Sequence, residues 1–261
     1  MKLFSMSRLA FSQSVLAGVA KVFTSASRLG LVVAPLFLQG CSDSSTASPK
    51  FFPLNSGWTW RYEMVTTNEK GSVTEMFTVE NTGKKNYGPG LEGWERRNSL
   101  GNFYLFQLDE TGIYRIGLRN EIEMEFRKDP PEARRFVLKE PFKIENSWIV
   151  PSVPYVMRKS FDWPYELKYT KSVTMNFRIE ALDQTITVQA GEFKGCMLIS
   201  ASNILRIFVD ATLGFQDLPI TQKEWYCPGT GLVKLVRNEP VSRSTYYFGG
   251  SQTFELVEMS K

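Results

Sequence analysis

Three cysteine thiols are the most reactive side chains of this chain, because the sequence contains no histidine. Without an imidazole, the Ser-His-Asp and Cys-His arrangements of nucleophilic catalysis are excluded, as are zinc sites that use histidine. Cys196 and Cys227 also lack the Cys-x-x-Cys spacing of redox enzymes. We therefore expect no catalytic residue, no metal site and no cofactor, and we predict that the chain is not an enzyme.

Carboxylates are the remaining groups that could act on a substrate. Two carboxyls about 5 to 10 Å apart across a cleft can hydrolyse a glycosidic bond. The acidic residues considered for this role are Asp109, Glu110, Glu121, Glu123 and Glu125. Because the last three alternate along a predicted strand, they share one face, which is typical of a solvated surface. A glycan hydrolase is therefore only a minor alternative.

The third thiol, Cys41, ends an N-terminal segment that has the features of an export signal. Basic residues and no acidic ones precede the apolar run 29–38, which is too short to cross a bilayer core of ~30 Å as a helix. Residues 38–41 (LQGC) resemble the bacterial lipobox, in which the chain is cut before the cysteine and the thiol is lipidated. We expect Cys41 to anchor the protein in a membrane, since several acyl chains give stable attachment.

The residues around this cysteine also predict the domain organisation and the location. Residues 1–40 are the signal peptide, residues 41–50 a flexible Ser/Thr-rich tether, and residues 51–261 the folded domain. Ser42 resembles the residue of lipoproteins sorted to the outer membrane, because an Asp at that position is the inner-membrane retention signal of enteric bacteria. The predicted location is the cell envelope, at the periplasmic face of the outer membrane.

The charge balance bears on the partners. Four of the 31 basic residues and none of the 27 acidic residues lie in the first 40 positions, so the remaining 27 basic residues balance the acidic ones. A protein that binds nucleic acid needs a basic excess to displace counterions from phosphates. We therefore exclude nucleic acid. The expected partners are the membrane, through the lipid on Cys41, and either an envelope protein or an apolar ligand.

Alternating apolar and polar residues predict β-strands throughout the domain. Trp58, Trp60, Tyr62 and Met64 lie on one face of the first strand, and glycine turns separate many similar runs. A further strand is predicted over 122–127. We predict a single all-β domain built on a strongly curved antiparallel sheet, as a half-barrel or a barrel-like sandwich.

The segment 150–164 contains three prolines, which predict a connecting loop at a sheet edge. Its large side chains would form an apolar lip for a ligand or a partner if they were exposed. They are Tyr155, Met157, Phe161 and Trp163. The alternative is that these side chains fold back and cap the core.

Once Cys41 is assigned to lipid, Cys196 and Cys227 remain as a pair. The oxidising periplasm favours a disulfide between them. The alternative is two buried free thiols, because unpaired cysteine is among the most buried residue types.

Three sequence motifs carry a family resemblance. They are residues 51–62 (FFPLNSGWTWRY), 188–196 (VQAGEFKGC) and 224–234 (EWYCPGTGLVK). In this order they resemble the TapB-like bacterial envelope lipoproteins, whose domain has no known function. The resemblance implies a curved antiparallel fold and an envelope location, and it carries over no catalytic residue. This chain departs from the pattern at Cys227, where Ala is common, and that departure strengthens the predicted disulfide.

We thus expect a non-enzymatic envelope module that binds a partner or scaffolds an assembly. The alternative is a carrier or chaperone that holds a lipid or an acyl chain in a cavity of the curved sheet. The aromatic content of 13% suits such a cavity, and it suits an ordinary core equally well.

Overall fold

Period-two alternation places the large apolar side chains of the first strand in the interior, and Trp60, Tyr62 and Met64 are all buried. The structure is a computed structural model that describes residues 49–159, 167–168, 171–241 and 247–261. The predicted signal peptide, Cys41 and most of the tether lie outside the described residues. Phe161 and Trp163 lie outside them as well.

The described residues form sixteen strands. They are β1 (Thr59–Asn68), β2 (Gly71–Asn86), β3 (Glu92–Asn98), β4 (Asn102–Asp109), β5 (Gly112–Asn120), β6 (Arg127–Lys128), β7 (Arg135–Lys139), β8 (Ser147–Ser152), β9 (Arg158–Lys159), β10 (Leu167–Lys168), β11 (Val173–Val188), β12 (Gly191–Asp210), β13 (Gly214–Cys227), β14 (Gly231–Glu239), β15 (Tyr247–Phe248) and β16 (Gly250–Ser260).

Thirteen of these strands form one antiparallel sheet. Its order is β6-β5-β4-β3-β2-β1-β16-β14-β13-β12-β11-β8, and β7 also pairs with β5. The sheet is not closed into a barrel, because β7 and β8 lie at its two ends without pairing to each other. The short strands β10, β9 and β15 form a second sheet. The prediction of an all-β, curved antiparallel domain is confirmed, and the open sheet corresponds to the half-barrel.

Residues Thr46–Lys261 form one compact unit. All the strand ladders described above lie within this unit, and so do four clusters of buried apolar residues. A unit that contains its own core and its own hydrogen-bonded sheet has the properties of an independent folding domain.

The strand predicted over 122–127 is wrong. Residues 121–126 form turns and irregular backbone, and only Arg127–Lys128 pair with the sheet. The reason is local, because the side-chain oxygen of Asn120 accepts hydrogen bonds from the backbone N–H groups of Ile122 (3.1 Å) and Glu123 (3.0 Å). Such Asx turns compete with a strand ladder. The three glutamates therefore do not share a strand face, and Glu123 pairs with Arg127 at 3.2 Å.

The proline-containing segment begins as an edge strand rather than as a loop. Pro151 lies within β8, which is the last strand in the order of the sheet and pairs with β11. This edge position agrees with the prediction, since proline has no N–H group to donate to a second neighbour.

Candidate functional site

A cavity of about 410 Å³ lies inside the curve of the large sheet, and ten of the thirteen strands of this sheet contribute to its wall. Nine of its nineteen lining residues are Phe or Tyr, and six more are Val, Leu or Pro. Apart from the tyrosine hydroxyls, its polar groups are three arginines and Asn98. The volume and the apolar lining with a few polar groups are those of a small-molecule site.

The segment Phe51–Leu54, called the plug below, forms part of this wall. Phe52 is buried and lines the cavity. The side-chain amide of Asn81 holds the plug by donating to the carbonyls of Pro53 (3.0 Å) and Asn55 (3.1 Å). Just before the plug, the carbonyl of Lys50 accepts a hydrogen bond from the N–H of Gly229 at 2.8 Å. The first motif of the family resemblance, residues 51–62, therefore contributes to the wall of the cavity.

Arg96 of β3 carries a positive charge into the cavity. Its Nε donates to Oδ1 of Asn81 at 2.8 Å, and its Nη2 donates to the carbonyl of Pro53 at 2.9 Å. Its guanidinium carbon lies 4.0 Å from the ring centre of Phe52 and 4.8 Å from that of Trp60. These contacts fix the plane of the guanidinium group by hydrogen bonds and cation–π stacking.

The charge of Arg96 has no ion-pair partner among the described residues. The neighbouring Glu95 lies on the other face of β3, where it accepts hydrogen bonds from Thr82 (2.6 Å) and Tyr87 (2.5 Å). Burial lowers the pKa of Arg96 to about 10, although the nearby hydroxyls of Tyr62 and Tyr226 act in the opposite direction. Arg96 therefore stays cationic at neutral pH.

A second positive region of the wall is formed by Arg115 of β5 and Arg135 of β7. Both share the carboxylate of Asp129, at 2.6 Å from Nε of Arg115 and at 2.7 Å from Nε of Arg135. One carboxylate compensates only one of the two cations. The cavity wall thus carries net positive charge in two regions, at Arg96 and at the pair of Arg115 and Arg135.

Two of the four residues predicted to form an apolar lip are described, and neither forms an exposed lip. Met157 is only 1% exposed and packs in a core cluster. Tyr155 is half-buried and lines the cavity. Glu239 holds this segment, because its carboxylate accepts hydrogen bonds from the N–H groups of Tyr155 (3.1 Å), Val156 (2.9 Å) and Met157 (2.7 Å). The described part of the segment therefore folds back onto the core, which was the alternative to an exposed lip.

A buried polar network continues from Glu239 along β14 and β13. Arg237 donates to Glu239 at 2.6 Å and to Gln222 at 2.8 Å, and Gln222 donates in turn to Glu224. Burial raises the pKa of Glu224. The guanidinium of Arg237 also lies 4.5 Å from the ring of Tyr155, which joins the network to the cavity wall. These residues were not predicted from the sequence, although polar residues alternate at core-facing positions of both strands, which was the available signal.

Cys196 and Cys227 form the disulfide that the sequence favoured, with their Cα atoms 4.1 Å apart. Both residues are buried in a cluster with Trp60, Val233 and Leu256. The bridge joins β12 to β13 directly beside Tyr226, which lines the cavity. The bridge thus cross-links two neighbouring strands, one of which contributes Tyr226 to the cavity wall.

Two of the acidic residues considered for hydrolysis, Asp109 and Glu123, are engaged in local contacts. Asp109 accepts hydrogen bonds from Thr111 and from Arg134 (2.6 Å). Burial raises the pKa of Asp109, but these bonds outweigh it and lower the pKa below its usual value. Within the described ranges, no three acidic or cysteine side chains are grouped as metal ligands, and no helix is long and apolar enough to cross a membrane.

No protein-family model and no curated protein matches this chain. Two solved structures are similar to most of it. One is a predicted lipoprotein of Parabacteroides distasonis, with 16% identity, a TM-score of 0.35, and coverage of 81% of this chain and 98% of that chain. The other is a predicted exported protein of Bacteroides fragilis with a YmcC-like fold, with 11% identity, a TM-score of 0.36, and coverage of 81% and 99%. Similarities of this size carry no argument about function.

Proposed function

We propose that this chain is an envelope lipoprotein whose β domain is a non-enzymatic binding module that holds an apolar ligand in its cavity. The observation that carries this proposal is the aromatic cavity of about 410 Å³. Ligand sites are concave and lined mainly by apolar and aromatic side chains with a few polar groups, and this cavity has that lining. A space of this size with an apolar lining is suited to a ligand, which favours a carrier over a pure scaffold.

The proposal includes the membrane attachment expected from the sequence. Lipid on Cys41, removal of residues 1–40 and a location at the periplasmic face of the outer membrane all belong to it, and so does membership of the TapB-like lipoproteins. The tether of residues 41–50 leads directly into the plug, and the plug forms part of the cavity wall. The anchor and the ligand site are thus joined by a short stretch of chain.

Native mass spectrometry tests the ligand-binding part. The unit Thr46–Lys261 is purified from bacteria, and we expect additional masses that disappear on denaturation. Leu235→Trp, which places a large ring at the cavity wall, should reduce the ligand-bound fraction. Val236→Trp is the matched control, because the next residue of β14 lies on the opposite face. Unliganded protein in every preparation, or bound masses unaffected by Leu235→Trp, would contradict the proposal.

Metabolic labelling tests the anchor. The full chain expressed with labelled palmitate should incorporate label, and Cys41→Ala should abolish both the incorporation and the cleavage of the signal. In an enteric host, Ser42→Asp should move the labelled protein from the outer to the inner membrane. Label that persists in Cys41→Ala would refute lipidation at this residue, and an unchanged distribution of Ser42→Asp would refute outer-membrane sorting.

A further inference from the structure

We propose that the cavity selects an anionic amphiphile, a single acyl chain that ends in a carboxylate or a phosphate, and that Arg96 binds its head group. This inference rests on the proposed function, because it names the chemical class of the ligand for the same cavity. Three properties of the described residues support it.

The first property is the uncompensated charge of Arg96. Arg96 is half-buried, and a cation that is partly withdrawn from water gains from pairing with an anion, but its fixed contacts are a side-chain amide oxygen, a backbone carbonyl and aromatic rings. These contacts orient the group without neutralising it. A ligand anion would supply the missing charge.

The second property is the number of donors that remain on Arg96. A guanidinium group has five N–H donors. Asn81 and Pro53 accept from Nε and Nη2, so three N–H groups remain for a ligand. Because stacking on Phe52 holds the guanidinium plane, these donors are oriented in advance for the bidentate bonds that carboxylates and phosphates accept.

The third property is the overall charge of the wall. The cavity is lined by three arginines and by no Asp or Glu. Asp129 compensates one of the other two arginines from outside the lining. The field in the cavity therefore favours an anion over a neutral or cationic ligand of equal length. The rest of the wall is apolar, so it matches an anion that carries an acyl chain better than a small polar anion.

The test is the affinity of the unit Thr46–Lys261 for four dodecyl compounds, measured by isothermal titration calorimetry below their micellar concentrations. They are dodecanoate, dodecyl phosphate, dodecanol and dodecyltrimethylammonium. We expect one or both anions to bind roughly 10- to 100-fold more tightly than dodecanol, and the cation to bind most weakly. The tighter of the two anions distinguishes a fatty-acid head group from a phosphate head group.

Variants then assign the head-group contact. Arg96→Met should remove most of the preference for the anion while dodecanol binds as before. Arg97→Met is the matched control, because Arg97 follows on the same strand, is exposed and pairs with Glu80; it should bind all four compounds like the wild type. Arg96→Lys keeps the charge but loses the planar fork, so its affinity for dodecanoate should fall several-fold even if Arg96→Met does not fold.

The outcomes separate the two proposals. If none of the four compounds binds, the carrier function fails, and the ligand class fails with it. If dodecanol binds the wild type as tightly as the anions do, the cavity is a ligand site but the anionic class is refuted. A full preference for the anion in folded Arg96→Met, or wild-type affinity for dodecanoate in Arg96→Lys, would refute the role of Arg96.

Discussion

Arg135 of β7 donates a hydrogen bond from Nη1 to the backbone carbonyl of Pro151 in β8 at 3.0 Å. β7 and β8 lie at the two ends of the large sheet, so this bond connects ends that no backbone ladder joins. Both residues also line the cavity. The seam between β7 and β8 is therefore held by side-chain contacts, among them this bond, rather than by a backbone ladder.

We predict that Arg135→Met loosens this seam. Backbone amides of β7 and β8 should exchange with deuterium faster than in the wild type, because the bond across the seam is lost while Arg115 still neutralises Asp129. Hydrogen exchange followed by mass spectrometry measures the effect. Arg61→Met, which removes an exposed ion pair with Glu258 between β1 and β16, is the control and should leave exchange at the seam unchanged. Equal exchange in both variants would show that the bond does not hold the seam.

The disulfide should contribute substantially to stability. Replacing Cys196 and Cys227 by Ala should lower the free energy of unfolding by roughly 3 to 4 kcal/mol, the loop-entropy value for a separation of 31 residues. Urea unfolding without reductant measures this difference. Dithiothreitol should shift the wild type in the same direction and leave the double variant unaffected. A reductant effect on the double variant would mean that the shift has another cause.

Glu224 should make stability depend on pH. Burial raises its pKa in the folded chain above the unfolded value of 4.5. Between these two values the unfolded chain releases a proton that the folded chain keeps, so the free energy of unfolding falls as the pH rises above 4.5. Glu224→Gln cannot titrate, and its unfolding free energy should fall less over this range. Urea unfolding at a series of pH values tests this, and parallel curves for both proteins would contradict it.

The buried pair of Arg237 and Glu239 should be far more important than a surface pair. Glu239→Gln leaves Arg237 without its carboxylate and weakens the acceptor for three backbone N–H groups, so we expect a loss of about 3 to 5 kcal/mol. Glu258→Gln removes an exposed bond to Arg61 and should cost less than about 1 kcal/mol. Chemical denaturation of both variants compares them. Similar losses would show that the buried network is not a determinant of stability.

Much of the fold could be predicted from local pattern. Alternation in Trp60, Tyr62 and Met64 correctly predicted a strand with a buried face, and the proline at position 151 correctly predicted a sheet edge. The strand over 122–127 could not be excluded in this way, because alternation also occurs where an Asn side chain closes a turn. Whether such a segment forms a turn or joins a sheet depends on the strand that it could pair with. That strand lies elsewhere in the chain, so the pattern of the segment alone cannot decide.

The sequence predicted a ligand cavity only as an alternative, and it gave neither the location nor the lining residues of this cavity. Aromatic content suited a ligand cavity and a packed core equally, and the difference depends on where strands distant in sequence come together. Arg96 was not singled out, since it lies within a run of three charged residues, Glu95 to Arg97, in which nothing local marks one side chain as different. Its special position arises because the plug, β1 and β4 place aromatic rings around it.

The sequence by itself determined the all-β class and favoured the pairing of two cysteines, because strand periodicity and residue chemistry are local properties; the tertiary structure then showed the bridge. The sequence also carried the whole case for a lipid anchor at Cys41. Only the tertiary structure decided that the sheet stays open, that Met157 is buried, and that one arginine enters an aromatic cavity without a carboxylate. These features depend on sheet curvature and on contacts between residues far apart in the chain, and such contacts form only when the sheet folds as a whole.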